Sequence, residues 1–421
     1  MEETGRIPKS LSAFHGSFPM ERRRVKLSLL NGTTANSNGN IRIRLPDRAL
    51  LDMSTFTVQG LATTTGDTGA GNGSGVPPTY AMIKAIQFTL GGVNIGANNQ
   101  YFNQTAHALN IAAQGTDWDK SNGLGLSYNT AQQVPTATNN QANINFVWNW
   151  FPYTLAASGV LDTAVFSGGL ECDIRLESSA CVNTIGTPSA DFSLSQLVSY
   201  VDILLPANEG YSKTMASRLA SGGVVKKYIP SAVSFNQVQN GSNSFNVASQ
   251  SLDAVMVGVK PNGWNSQAAK GANAYNQFLS YSLNDTAANQ VMYLQMANGQ
   301  NVPSYGQPEN SYEHAEMTRN WAGKTSPYNF NKLFYNSTAA QNDTRLNSYY
   351  LSRNFVWFAQ LGGEDNACDN HGLATGLDTT GGSSIIRVNS VNLEANDELI
   401  MAGLCSSTIE AKAGGLIAFI Q

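Results

Sequence analysis

Charge is scarce in this sequence: Lys, Arg, Asp and Glu make up only 13% of its 421 residues, against about 25% in an ordinary soluble domain. No apolar run reaches the 18 residues that a membrane-spanning helix requires. The first residues, MEETGRIPKSLSAF, lack the apolar core and small-residue cleavage site of a secretion signal. The chain is therefore expected to be made and assembled in a reducing cell interior. Four cysteines (Cys172, Cys181, Cys368 and Cys405) show no CxxC spacing and fall in or beside strand-like runs. Buried thiols are the expectation, rather than a disulfide framework or a metal site.

Catalytic signatures are equally thin. The histidines are His15, His107, His314 and His371, with no HxH, so the clustered His and Glu ligands of a two-barrel metal enzyme have no source. GxSxG occurs only as GNGSG at 71–75, in a Gly-rich loop without the strand and helix that a nucleophile elbow needs. That loop also lacks the GKS or GKT ending of a phosphate loop. Glu171 with Asp173, and Glu364 with Asp365, are carboxylate pairs in sequence, but alternating or adjacent acids of this kind read as a solvated face. No cofactor or metal is expected, and no catalytic residue is assigned.

Asn, Ser, Thr, Gln and Gly take the place of charge. These residues favour turns and loops over helix interiors, so the chain reads as β-rich with long polar connections. Ile41, Ile43 and Leu45 alternate with Arg42 and Arg44, the period of a half-buried strand. Residues 53–65 read as a strand, and 81–95 as a hairpin turning at Gly91-Gly92. Cys172, Ile174 and Leu176 point one way while Glu171, Asp173 and Arg175 point the other. Residues 192–206 read as a largely buried strand. Three helices are expected: 101–115, with Phe102, Ala106, Leu109 and Ala113 on one face; 207–223, ended by Gly222-Gly223; and 311–323, with His314, Met317 and Trp321 along one side. Polar excursions at 115–142 and 324–346 exceed ordinary connections.

An internal duplication organises the whole. NFVW occurs at Asn145–Trp148 and again at Asn354–Trp357. SGVLDT (Ser158–Thr163) follows the first copy and TGLDTT (Thr375–Thr380) the second, each leading into a strand-like run. Three elements repeated in order about half a chain apart point to two similar domains. The boundaries read as a basic arm over 1–24, one domain over 25–206, a connecting helix over 207–223, and a second domain over 224–421.

Net charge is −4 overall, but residues 1–48 hold nine Lys or Arg against four acids, giving +5, and the remainder is −9. A basic arm on an acidic body suggests an anionic partner. Arg22, Arg23, Arg24 and Lys26 are the candidate contact. The alternative at this point is that Val25, Leu27 and Leu29 form the first strand, with the arginines solvated at its start.

The order of elements resembles the double jelly-roll major capsid proteins of the tectivirus–adenovirus lineage, and in particular the polinton-like, adintovirus and virophage branch. RLPDRALLDMSTFTVQG, KAIQFTLGGVNIGANNQYFNQ, WFPYTLAASGVLDTAVFSGGLECDIRLES, FSLSQLVSYVDILLP, NVPSYGQPENSYEHAEMTRNW and ATGLDTTGGSSIIRV carry the resemblance, which covers roughly 25–421. It implies an all-β fold of two tandem eight-stranded jelly rolls, with short helices in the connections. The implied function is that of a viral major capsid protein. Three copies would form a pseudo-hexagonal capsomer that tiles an icosahedral shell in the virion. Partners would be the chain itself, penton and minor or cement capsid proteins, and an internal membrane or packaged DNA reached by the arm. A two-domain carbohydrate-binding or adhesin β-protein is the alternative; it needs Trp118, Trp264 or Trp321 exposed along a groove.

Overall fold

Strand alternation and turn chemistry account for most of the chain's course in the computed structural model. The structure describes residues 20–66, 73–75, 77, 79–96, 99–114, 143–166, 169–185, 190–206, 209–266, 278–279, 281, 290–309, 311–322, 355–362, 376–381, 384–393, 396–412 and 416–420. The arm residues 1–19, both polar excursions, Trp118, His15, His371, Cys368 and the Glu364–Asp365 pair lie outside these.

The first half contains β1 (Met20–Lys26), β2 (Ser28–Leu29), β3 (Ala35–Asn36), β4 (Asn40–Arg44), β5 (Leu50–Gly66), β6 (Gly73–Gly75), β7 (Ile83–Leu90) and β8 (Val93–Ile95). Helix α1 (Phe102–Gln114) follows, then β9 (Asn143–Trp148), β10 (Val160–Asp162), β11 (Leu170–Leu176), β12 (Asn183–Ile185) and β13 (Ala190–Pro206). Helix α2 (Gly210–Ala220) leads into the second half. That half holds β14 (Val225–Val238), β15 (Ser242–Asn246), β16 (Leu252–Lys260), β17 (Val291–Met296), β18 (Asn301–Val302) and helix α3 (Ser311–Ala322). It closes with β19 (Val356–Gln360), β20 (Ile385–Val391), β21 (Glu398–Lys412) and β22 (Leu416–Ile420).

Sheet topology repeats. In the first half, β1-β13-β5 runs across one sheet with β9 beside β5, and β4-β11-β7-β8 across the other. In the second half, β14-β21-β16-β19 faces β15-β20-β17-β18. Taking the halves in chain order, β1, β4, β5, β7, β8, β9, β11 and β13 correspond to β14 through β21. Each set of eight makes two packed antiparallel sheets, and each half is a jelly roll. The helix after the β7–β8 hairpin corresponds to the one after β17–β18.

The turns explain the register. Gly91 and Gly92 both hold positive φ, 57° and 82°, which a two-residue turn between twisted strands requires. Along β4 the apolar residues Ile41 and Ile43 are buried and the residues between them exposed. In β11, Leu170, Cys172, Ile174 and Leu176 are buried on the facing side.

The structure departs from the sequence reading in three places. Residues 192–206 alternate rather than staying largely buried, because one face of β13 points away from the core, and its end (Ile203–Pro206) is partly exposed. The second NFVW strand is buried on both faces: Phe355, Val356, Trp357, Phe358 and Ala359 are all inside. Helix α3 covers the side that β9 leaves half open. Helix α1, expected to bury one face, is buried from Phe102 through Ala112 on every side.

Two cores result, and α1 joins them. Phe102 and Ala106 pack in the first with Phe56, Phe88 and Phe151. Ala108, Leu109, Ile111 and Ala112 pack in the second with Tyr281 and residues of β16 and β19. Side chains from the second half, including Val225, Ile229, Trp264 and Phe278, return to the first core. The rolls thus interlock instead of meeting across water.

Candidate functional site

Strand β1 carries the four basic residues singled out in the sequence, and it pairs antiparallel with β13 along its whole length, Met20 opposite Pro206 and Lys26 opposite Tyr200. Met20–Arg24, which the sequence reading placed in the arm of 1–24, belong to the sheet, because β13 extends far enough to satisfy their backbone groups. The side chains of residues 20–24 and of Lys26 are exposed, as the reading of solvated arginines on a first strand expected.

Alternation sorts the four residues. Arg22, Arg24 and Lys26 share one face, and Arg23 lies on the other. Arg22 donates through Nη2 to Asp52 Oδ2 at 2.7 Å and lies 3.4 Å from Asp202 Oδ2. It ties β1 to β5 and β13. Asp52 is almost fully buried and also accepts from Ser54 Oγ at 2.5 Å. Arg23 pairs with Glu21 on its own strand at 2.8 and 3.1 Å; these hydrogen bonds hold the Glu21 carboxyl below, and the guanidinium above, their ordinary values. The Arg24 guanidinium sits 5.1 Å from the centre of the Tyr200 ring. Lys26 forms no ion pair among the described residues. Arg24 and Lys26 are thus the cations most available to a partner, while Arg22 already has a structural task.

The repeated Leu-Asp-Thr stretches have equivalent geometry. Leu161 pairs with Leu51, and Leu377 with Leu252. Thr163 Oγ1 accepts the Ala49 N–H at 2.8 Å and lies 2.9 Å from the Ala49 carbonyl. Thr379 Oγ1 accepts the Ser249 N–H at 3.1 Å and donates to the Val247 carbonyl at 2.7 Å. Asp162 and Asp378 each cap the turn that follows. Sequence reading missed the other side of this joint, a Leu-Asp step at 51–52 and again at 252–253. Asp253 accepts from Ser406 at 2.7 Å and Ser251 at 3.1 Å, the carboxylate position that Arg22 serves in the first roll.

Several other ionisable groups that the sequence offered make structural contacts. Glu171 meets Arg42 at 3.3 Å, and Asp173 meets Asn40 at 3.3 Å, as a solvated face would. Cys172, Cys181 and Cys405 are buried, and burial raises the Cys172 thiol well above its usual value. Lys260 is fully buried between the rolls, donating to the Phe278 carbonyl at 2.9 Å and lying 3.9 Å from the Tyr281 ring centre. Burial pulls its ammonium well below the ordinary lysine range, opposed by Glu398. Nothing in the sequence pattern marks Lys260, since it ends an otherwise apolar strand. Among the described residues no three His, Cys, Asp or Glu side chains gather as metal ligands would. Trp264 and Trp321, which the carbohydrate-binding alternative needs on a groove, are 3% and 1% exposed.

No protein-family model matches the sequence, and no curated protein matches it. Solved structures do. A chain of the PBCV-1 virus capsid superposes with a TM-score of 0.60 at 10% identity, over 96% of this chain and 97% of that one. The Faustovirus major capsid protein gives 0.57 at 9% identity, over 94% and 91%. A chain of the Sputnik virophage gives 0.51 at 12% identity, over 95% and 88%. At such identities the likeness establishes the fold, a double jelly roll spanning nearly the full length of both partners.

Proposed function

We propose that this chain is a viral major capsid protein: a structural subunit, not an enzyme, whose place is the shell of a virion. The observation that carries this reading is the paired architecture. Two jelly rolls of matching topology, interlocked through α1, fill the whole described chain, and nearly all of it superposes on capsid chains. As units, the rolls correspond to 25–206 and 224–421, joined by 207–223, with β1 extending the first roll back to Met20.

The finer reading follows from symmetry. A trimer of a chain that presents two similar rolls has six similar sides, so it packs as a hexagonal tile. Three copies would form the capsomer, and capsomers would tile an icosahedral shell. Contacts with penton and minor or cement capsid proteins would complete it. The exposed cations of β1, Arg24 and Lys26 first among them, would face an anionic partner on one side of that tile: packaged DNA, an internal membrane or a minor protein.

Size and imaging of the purified chain test this. The expected result is a particle of three chain masses, about 135 kDa from the 45.0 kDa subunit, that forms hexagonal arrays in negative stain. A stable monomer that forms no arrays would sink the proposal.

A further inference from the structure

Helix α3 is fastened to the second roll by a histidine that can serve only in its neutral form. His314 is fully buried, and its Nε2 accepts the backbone N–H of Met292 on β17 at 3.1 Å. An imidazole that accepts at Nε2 carries its single proton on Nδ1, and Nδ1 has no hydrogen-bond partner among the described residues. The ring is enclosed by Trp357 at 4.8 Å and Phe355 at 5.8 Å between centres.

The rest of the helix seals a sheet edge. Strand β19 ends the sheet order, so one side of its backbone lacks a strand partner among the described residues. Thr318, one turn beyond His314, supplies it: its hydroxyl accepts the Phe358 N–H at 3.0 Å and lies 3.0 Å from the Val356 carbonyl. Trp321 then stacks on Phe358 with ring centres 4.2 Å apart and planes 4° from parallel. Hydrogen bond, cap and stack all depend on α3 staying down.

The charged neighbours do not compensate a proton on His314. Glu313 on α3 is half-buried and already bonded to the Tyr305 hydroxyl and the Glu309 N–H. Glu316 is exposed, Tyr293 on β17 is half-buried, β19 has no ionisable residue, and α1 offers only His107. Burial alone pushes His314 down to about 3 from 6.5.

We propose that α3 is an acid-released cover: protonating His314 sets a second donor against the Met292 N–H, α3 lifts, and the edge of β19 is bared. This goes beyond the capsid reading and concerns the single chain, whether or not it assembles. The sign follows from linkage. An opened state with an ordinary histidine binds a proton below pH 6.5 that the closed state refuses until about 3. Opening is therefore favoured about 30-fold at pH 5 relative to pH 7.5.

Amide hydrogen–deuterium exchange on the full chain, corrected for the intrinsic effect of pH, reads this directly. Residues 311–322 are expected to lose protection by about 30-fold between pH 7.5 and 5, while β11 in the first roll does not. In His314→Gln, whose amide oxygen accepts the same N–H without titrating, the acid response should vanish. Unchanged α3 protection, loss spread evenly over the chain, or an undiminished response in H314Q would each overturn the proposal. Exchange at the histidine C2 position of the wild-type chain covers the case in which H314Q does not fold. A midpoint for His314 below pH 5 is expected, and one near 6.5 refutes the latch.

Discussion

At the scale of single residues, the most demanding contacts are those with no room to adjust. A Cβ on Gly258 would stand 2.3 Å from the Tyr281 ring, a ring held from beyond by its hydroxyl bond to the Gln104 carbonyl at 2.8 Å. Gly258→Ala should therefore cost about 3 kcal/mol, read from urea unfolding monitored by tryptophan fluorescence. The two buried threonines make a paired test. Thr163→Val and Thr379→Val keep shape but leave the Ala49 and Ser249 amides without their acceptor. Each should cost about 2 kcal/mol. Similar losses in both variants would support equivalent joints, whereas a large loss in only one would argue against it. These positions were partly legible. The LDT repeat stood out in sequence because three letters recur with their neighbours, but Gly258 did not, since its partner Tyr281 is brought to it only by the fold.

At the scale of elements, β1 carries both an engaged arginine and exposed cations. Arg22 joins three strands through Asp52 and Asp202, yet its side chain is 56% exposed, so solvent screening limits its worth. Arg22→Ala should destabilise by about 1 kcal/mol, measured by thermal unfolding. Lys26→Ala, without an ion pair to lose, should leave the fold within about 0.5 kcal/mol of wild type. Any defect in particle assembly or contents caused by Lys26→Ala therefore reports a lost partner and not a weakened sheet. The variant with Arg22, Arg23, Arg24 and Lys26 all replaced mixes the two effects, and only the single variants separate them. Sequence alone could show that this stretch was basic. It could not show which arginine was already engaged, because Asp202 lies 180 residues away.

At the scale of the whole molecule, the seam decides behaviour. Helix α1 contributes side chains to both cores, and Gln104 donates to the Phe278 carbonyl at 2.9 Å across the join. Two rolls sharing a buried helix should unfold together. Calorimetry of the wild-type chain is expected to show one transition, and two well-separated transitions would show that the rolls are energetically independent.

The sequence by itself determined that the chain is built of strands, that it carries the same plan twice, and where its turns and three helices fall. Those are local properties: alternation, glycine at positive φ and short recurring motifs act over a few residues. Only the tertiary structure decided that α1 is buried on every side, that the second NFVW strand is covered by α3, and that Lys260 and His314 are sealed from water. Each depends on surfaces brought together from distant stretches, and burial of that kind leaves no period in the sequence to read.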